Sequence, residues 1–125
     1  IERFRTLHEL GYIYNDLWLK NLTYTADDSK QMVLYINNLS HVKKYVTLDG
    51  AHTEKAKSRE TSCNVMFASL NACRGNARSR RDDIEAALYL LIYLLNKQSL
   101  PWSHLVNKSS EVQQKMSKRL SRAYT

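Results

Sequence analysis

A mainly α-helical fold with one small β-hairpin is predicted by two features of the sequence. The first is a long apolar segment at residues 82–97, rich in leucine and isoleucine. The second is a pair of short stretches of β-forming residues, 22–24 and 32–36, separated by a polar turn. With 125 residues, of which 43% are hydrophobic and 25% charged, the chain has the size and composition of about one globular domain.

The N-terminal residues 1–10 are predicted to form a helix. Ile1, Phe4 and Leu7 recur at helical spacing, and Gly11 is well placed to end the helix. A short extended stretch at residues 12–14 and a loop at 15–21 are expected to follow. We therefore expect this helix to lead directly into a loop that is rich in polar and aromatic side chains.

The segment 82–97 is predicted to be a central helix buried in the core. Asp82 and Asp83 stand at its start, where acidic side chains interact favourably with the helix dipole, and Pro101 prevents continuation. A helix that is apolar on nearly every side is expected to be covered all round. Its apolar residues are Ile84, Leu88, Leu90, Leu91, Ile92, Leu94 and Leu95.

A terminal helix is predicted at residues 110–123. Ser110 and Gln113 have the spacing of a capping box. The apolar residues of this segment recur at every fourth position, which gives a narrow stripe with basic flanks. The stripe consists of Val112, Met116 and Leu120.

The net charge of +7 indicates basic surfaces. Such surfaces attract acidic proteins, phosphorylated peptides or nucleic acid. No aromatic ladder or nucleic-acid motif accompanies the charge, so protein partners in a larger assembly are favoured over nucleic acid. The candidate partner-binding residues are Arg74, Arg78, Arg80, Lys115, Lys118 and Arg119.

The sequence favours an intracellular protein, whether cytoplasmic, cytoskeletal or nuclear. The longest apolar run, at about residues 84–95, is too short to span a bilayer, and no secretion signal is seen. Cys63 and Cys73 do not make a disulfide framework, which fits a reducing compartment. We expect no membrane association.

Asp16 and Asn21 have the spacing of a phosphoryl-transfer loop. Such a loop supplies an aspartate base for the substrate hydroxyl and, five residues later, an asparagine that binds Mg²⁺. This spacing alone is a weak signal because it is common by chance. The order of elements around it, from the first helix through the hairpin to the long apolar helix, strengthens it.

Four further motifs in this order resemble the casein kinase I group of protein kinases. Residues 68–71, Ala-Ser-Leu-Asn, resemble the Ser-Ile-Asn that this group uses in place of Ala-Pro-Glu. The segments 79–85, 100–102 and 43–45 also fit the group. The resemblance covers residues 1–102 and more loosely the remainder. It implies a protein-kinase-like C-lobe fragment as a single partial domain, in which the N-lobe is absent.

The resemblance assigns regions and structural roles to the chain. It implies a catalytic-loop region at 12–24 and a metal-loop and activation-segment region at 33–71. Asp83 would anchor the long helix and hold the backbone of the catalytic loop. The other residues expected to be structural are Arg81, Asn71 and Trp102.

The departures from the group concern residues that would carry out the chemistry. The base is kept as Asp16, but Trp18 stands where the group has a lysine that contacts the transferring phosphate. Asn38 stands in place of the metal-binding aspartate, and Mg²⁺ prefers carboxylates. Met66 replaces an arginine that binds phosphate on primed substrates, and Asn15 replaces the arginine before the base.

These losses favour a casein kinase I-like pseudokinase that acts as a scaffold or protein-binding module and needs no cofactor. An alternative is a divergent active serine/threonine kinase that uses Mg-ATP, with Asp16 as base and Asn21 and Asn38 as a weakened metal site. A third is a structural subunit of a large complex that binds acidic protein, a tubulin-like polymer or RNA through its basic surfaces.

Overall fold

The computed structural model describes residues 1–26, 28–54, 57 and 64–106, and within them the chain forms four α-helices and two two-stranded antiparallel sheets. In chain order the elements are α1 (Glu2–Glu9), β1 (Tyr12–Ile13), β2 (Leu22–Ala26), β3 (Met32–Ile36), β4 (Lys43–Lys44), α2 (Leu70–Cys73), α3 (Arg80–Leu95) and α4 (Ser103–Val106). A 3₁₀ turn at Leu19–Asn21 precedes β2.

Helix α1 forms where the apolar stripe predicts it, and its buried residues are Phe4 and His8. It ends before Gly11, whose φ of +84° lies in the left-handed region that favours glycine. A Cβ atom at this position would lie 2.8 Å from the Cγ2 atom of Val46. Both the backbone conformation and the close approach of Val46 therefore require glycine.

The first sheet joins β1 to β4, with Tyr12 opposite Lys44 and Ile13 opposite Lys43. The pairing continues beyond β4, because the Tyr45 amide donates to the Gly11 carbonyl at 3.0 Å. Residues 43–45 therefore lie beside the start of the loop at 14–21.

The predicted hairpin is confirmed as β2 paired with β3, in a register that runs from Leu22 opposite Ile36 to Ala26 opposite Met32. Strand β2 is two residues longer than predicted. Leu22 and Ile36 pack against the core at one end of the hairpin, while Met32 at the other end is 62% exposed. The hairpin is thus joined to the core at the end formed by Leu22 and Ile36, and most of its other residues are exposed.

Helix α3 occupies the predicted position but begins at Arg80 and ends at Leu95. It begins earlier than predicted because the Ser79 amide donates to the Asp82 carboxylate at 2.6 Å, which makes Ser79 the N-cap. It ends earlier because Lys97 has a left-handed φ of +50°.

The expectation that α3 is buried on all sides is wrong. Its buried residues lie along one side, whereas five apolar residues on the rest of the helix are between 46% and 78% exposed. The reason is that its described neighbours pack on one side, where Tyr93 meets Phe67 and Tyr89 meets Trp102. The exposed residues are Leu88, Leu91, Ile92, Leu94 and Leu95.

The core brings α1, the loop at 14–21, the segment 64–67 and α3 together. Its buried members are Phe4, Tyr14, Leu17, Phe67, Ala86, Leu90 and Leu100. The predicted terminal helix at 110–123, with Lys115, Lys118 and Arg119, lies outside the described residues, as does Cys63. Among the helices of the described ranges, none combines the length and apolarity needed to cross a bilayer.

Candidate functional site

Asp83, on the first turn of α3, holds the start of the loop at 14–21. Its Oδ2 atom accepts a hydrogen bond from the Tyr14 amide at 2.7 Å and lies 2.8 Å from His8 Nε2. Its Oδ1 atom accepts from the Asn15 amide at 2.9 Å. Because Asp83 is buried, these contacts tie α1, the loop and α3 together without competition from water.

Arg78, which the sequence assigned to a partner-binding surface, is half-buried and binds this loop. Its guanidinium donates to the Asn15 carbonyl and lies 3.3 Å from the Asn15 side-chain oxygen. Asn15 has a φ of +77°, a conformation that a non-glycine residue rarely adopts. Arg78 turns inward because a loop carbonyl accepts from it. Its guanidinium therefore contacts the position where the casein kinase I group has an arginine.

Asp16, the candidate base, has a hydrogen-bond donor at each carboxylate oxygen. Oδ1 accepts from the Asn64 amide at 2.9 Å, and Oδ2 accepts from Trp18 Nε1 at 2.9 Å. The Nε2 atom of His41 lies 4.0 Å from Oδ2, and the Asp16 side chain is 14% exposed. The carboxylate thus connects the loop at 14–21 to the segment that begins at Asn64.

Trp18, which the resemblance aligns with a lysine of the casein kinase I group, is 37% exposed beside Asp16. The ammonium group of Lys20 lies 5.0 Å from the centroid of the indole ring, within the range of a cation–π contact. The 3₁₀ turn at Leu19–Asn21 follows Trp18 directly and carries Lys20. A positive charge therefore lies next to the indole, although position 18 itself carries none.

Tyr14 is only 1% exposed, and its hydroxyl contacts both predicted metal positions, Asn21 and Asn38. The hydroxyl donates to the Asn37 carbonyl at 2.8 Å and lies 3.2 Å from the Asn38 carbonyl oxygen. It also hydrogen-bonds the side chain of Asn21. Burial raises the pKa of the Tyr14 phenol, and the Asn21 hydrogen bond partly opposes that shift.

The Asn38 side chain is engaged within its own turn. Its Oδ1 atom accepts from the Ser40 hydroxyl at 2.6 Å and from the Ser40 amide at 3.3 Å. Asn38 has a φ of +57°, which short polar side chains that bond locally can adopt. Across the described ranges, no group of three or more His, Cys, Asp or Glu side chains is arranged to hold a metal ion.

Asp82 is a second buried carboxylate that joins three segments. Its Oδ1 atom accepts from the Ser69 hydroxyl at 2.5 Å. Its Oδ2 atom accepts from the Ser79 amide and, at 3.3 Å, from Asn71 Nδ2, which also donates to the Ala77 carbonyl at 3.0 Å. Asn71 therefore lies in a structural network at the N-terminal end of α3.

Trp102 contacts the segment 64–67 through its indole nitrogen. Nε1 donates to the Met66 carbonyl at 2.9 Å, and the ring packs edge-on against Tyr89 at 5.3 Å. Asn64 is also bound here, because its Nδ2 atom donates to the Leu17 carbonyl at 2.6 Å. The segment 64–67 is thus held by Trp102 and by the loop at 14–21.

The remaining predicted basic residues of the described chain are at the surface. Arg74, Arg80 and Arg81 are all exposed, and the Arg80 guanidinium lies 5.0 Å over the ring of Tyr45. The structural role expected for Arg81 stays a prediction, and its side chain is exposed. The three side chains offer positive charge to solvent near the ends of α2 and α3.

A small open pocket lies beside Asp16, between the loop, α2 and α3. Its walls include Asp16, Arg78, Asp82, Phe67 and Ala72. Every buried side-chain nitrogen and oxygen of the described residues has a hydrogen-bond partner in the protein. The buried polar side chains around the pocket are therefore already paired within the protein.

Sequence reasoning did not single out His8, Asn64 or Lys20 as members of this site, and it assigned Arg78 to a partner-binding surface. A signal existed for His8, because it lies four residues after Phe4 on the apolar stripe of α1. The Arg78 and Asn64 contacts join residues that are 63 and 48 positions from their partners, so no local pattern shows them.

No protein-family model matches the chain. Curated proteins do match it. A probable casein kinase I homologue of Encephalitozoon cuniculi is 31% identical over 77% of this chain and 29% of its own length. A probable serine/threonine-protein kinase of Dictyostelium discoideum is 27% identical over 92% of this chain and 23% of its own length. Casein kinase I homologue 1 of Schizosaccharomyces pombe is 29% identical over 84% of this chain and 24% of its own length.

The chain therefore spans between 23% and 29% of the length of these relatives. The matches are modest in identity, but they agree with each other in naming casein kinase I or serine/threonine kinases. Together they support a relation between this chain and the protein kinase family, with casein kinase I homologues among its relatives.

Proposed function

We propose that this chain is part of a casein kinase I-like pseudokinase, in which a kinase-like C-lobe serves as a scaffold or protein-binding module. The observation that carries the proposal is the engagement of Asp16, whose two carboxylate oxygens each accept a hydrogen bond from an N–H group of the protein.

A general base must lie within hydrogen-bond reach of the hydroxyl that it deprotonates. The Asp16 carboxylate is 14% exposed and is shared between Trp18 and Asn64. A substrate hydroxyl would have to approach past the Trp18 indole, which stands where a kinase of this group presents a lysine. The geometry favours a carboxylate that joins two segments over one that receives a substrate proton.

The metal positions support the same proposal. Asn38 is a neutral amide that accepts from Ser40, and Asn21 bonds to the Tyr14 hydroxyl. Mg²⁺ is a hard cation that loses hydration water reluctantly and prefers carboxylate ligands. Two amides with partners inside the protein are poor replacements for these ligands.

The groups that hold the architecture are intact in comparison. Asp83 connects α1, the loop and α3, and Asp82 connects Ser69, Asn71 and the helix cap. A binding module needs a stable fold but no catalytic residues. The hydrogen bonds of Asp82 and Asp83 provide that stability, while the positions that would carry out catalysis have changed. The exposed charges of Arg74, Arg80 and Arg81 would attract an acidic surface on a partner protein.

The test is phosphate transfer by the full-length protein from radiolabelled ATP with Mg²⁺, to itself and to an acidic peptide substrate. We expect no transfer above that of the Asp16→Asn variant. A transfer rate that Asp16→Asn reduces a hundredfold or more would overturn the proposal.

The partner surface is tested by the salt dependence of association with an acidic protein. Replacing Arg80 and Arg81 with glutamine should weaken the association and reduce its dependence on salt. Replacing Arg78, which faces the loop, should leave the salt dependence unchanged. Association that is insensitive to salt and to Arg80 and Arg81 would contradict an electrostatic partner surface.

An active serine/threonine kinase is the second candidate. The observation that favours it is the retained Asp16, which lies on the loop beside a cation from Lys20. Under this alternative the Asp16→Asn comparison gives a large loss of transfer, so the same assay separates the two functions.

A further inference from the structure

We infer that Lys20, held on the indole of Trp18, forms a metal-independent site for a phosphate group at the exposed edge of the loop 14–21. The inference rests on the proposed function and deepens it, because it names a ligand for a site that has lost its metal positions. The ligand class is the tetrahedral phosphate of a nucleotide or of a phosphorylated side chain.

The first support is the position of the Lys20 ammonium group. It lies 5.0 Å from the centroid of the Trp18 ring, and Lys20 is exposed. The ion pairs found between described residues, Arg5–Glu9, His8–Asp83 and His41–Asp16, do not include Lys20. The ammonium group can therefore turn its N–H donors to a solvent anion while its stem stays on the ring.

The second support is the fixed orientation of the indole. Trp18 Nε1 donates to Asp16 Oδ2 at 2.9 Å, and Asp16 is held in turn by the Asn64 amide. An anchored ring limits where a lysine can lie on its face, which reduces the side-chain entropy lost when an anion binds. Compared with a kinase that has a lysine at the position of Trp18, the positive charge of this loop is at position 20, and the Trp18 ring supports the Lys20 side chain.

The third support is the state of the neighbouring charges. The Asp16 carboxylate would repel a phosphate, but N–H groups face both of its oxygens and its side chain is 14% exposed. The His41 side chain is 49% exposed, and its Nε2 atom lies 4.0 Å from Asp16 Oδ2, so an imidazole also lies beside this carboxylate. Neither contact requires a metal ion.

The chain offers a matched control in Lys44. Its ammonium group also lies over an aromatic ring, 5.8 Å from the centroid of Tyr12, but on the sheet that joins β1 to β4. Replacing Lys20 or Lys44 with methionine removes one exposed charge from an aromatic ring and keeps the unbranched stem. The two variants differ in the presence of the Asp16 and His41 side chains beside the ring.

The experiment is a titration of the full-length protein in EDTA with ATP and, separately, with O-phosphoserine. Binding is followed by the change in tryptophan emission, and this change should be absent in the Trp18→Phe variant. We expect saturable binding that Lys20→Met weakens about fivefold and that Lys44→Met leaves unchanged. Lys20→Arg should retain binding, and added NaCl should weaken it because the site is exposed. The ligand that binds more tightly identifies the source of the phosphate.

The inference is overturned if Lys20→Met binds both ligands as tightly as the wild type, or if Lys44→Met weakens binding equally. The absence of saturable binding to both ligands would also overturn it. Circular dichroism of each variant checks that it is folded. Mg²⁺-dependent phosphate transfer would contradict the proposed pseudokinase function. The phosphate site is tested independently, by the effect of Lys20→Met on binding.

Discussion

Replacing Asp83 with asparagine should destabilise the fold by about 2–4 kcal/mol. The buried carboxylate accepts from the amides of Tyr14 and Asn15 at 2.7 and 2.9 Å, and it lies 2.8 Å from His8 Nε2. Asparagine has nearly the same shape but only one accepting oxygen. At least one buried N–H group then loses its acceptor, which costs about 1–3 kcal/mol, and the remaining bonds lose their charge assistance.

The assay is urea unfolding followed by circular dichroism, together with amide hydrogen exchange at Tyr14 and Asn15. Both amides should exchange faster in the Asp83→Asn variant. Glu9→Gln is a suitable control, because it removes a surface ion pair with Arg5 in which both side chains are more than 60% exposed, and we expect no measurable change. A loss of less than about 1 kcal/mol for Asp83→Asn, with unchanged exchange, would refute the view that Asp83 holds the loop.

Three further changes test individual contacts. Tyr14→Phe should cost about 1–3 kcal/mol at neutral pH by removing the buried hydroxyl. Burial raises the pKa of the Tyr14 phenol in the folded state, so the free energy of unfolding of the wild type should fall as pH rises above about 10. The variant should lack this part of the fall, which unfolding measured at several pH values would show. Arg78→Gln should cost about 1–2 kcal/mol by chemical unfolding, whereas Arg81→Gln should not change stability measurably; equal effects would contradict the inward position of Arg78. Leu90→Ala should cost about 2–5 kcal/mol in thermal and urea unfolding, and Leu95→Ala under about 0.5 kcal/mol, since Leu90 is 5% exposed and Leu95 is 78% exposed; the reverse order would contradict the burial described for α3.

Local patterns predicted α1, the hairpin and α3, but not β4, α2 or α4. The stretches of β-forming residues at 22–24 and 32–36 predicted the hairpin. Its register, from Leu22 opposite Ile36 to Ala26 opposite Met32, was not predicted. The position of α3 follows from its apolar run and from Pro101. Its start was predicted two residues too late, because Ser79 caps the helix through Asp82, which is the third residue of the helix and not the first.

The burial of α3 could not be read from its composition. The apolar residues lie around most of the helix, but the described neighbours cover only one side of it, through contacts such as Phe67 with Tyr93. Hydrophobicity shows that a face favours burial, and the presence of a neighbour decides whether the face is buried. The sequence of the helix alone contains no information about that neighbour.

The sequence named part of the candidate site but few of the contacts within it. The resemblance identifies Asp16, Asn21 and Asn38 by alignment to a motif. It does not show that Trp18 donates to Asp16 or that Lys20 lies over the indole, because those geometries come from residues that differ from the motif. Arg78 was assigned to a solvent face because a basic run looks the same whether or not one member turns inward.

The most direct test of the central claim is the thermal stabilisation of the full-length protein by ATP with and without Mg²⁺. A ligand that binds only the folded state stabilises it by about 2.7 kcal/mol at a hundredfold excess over its Kd, so binding is visible as a rise in Tm. We predict that Mg²⁺ adds nothing to the stabilisation seen in EDTA, since Asn21 and Asn38 are engaged inside the protein. A rise in Tm that requires Mg²⁺ would contradict the account.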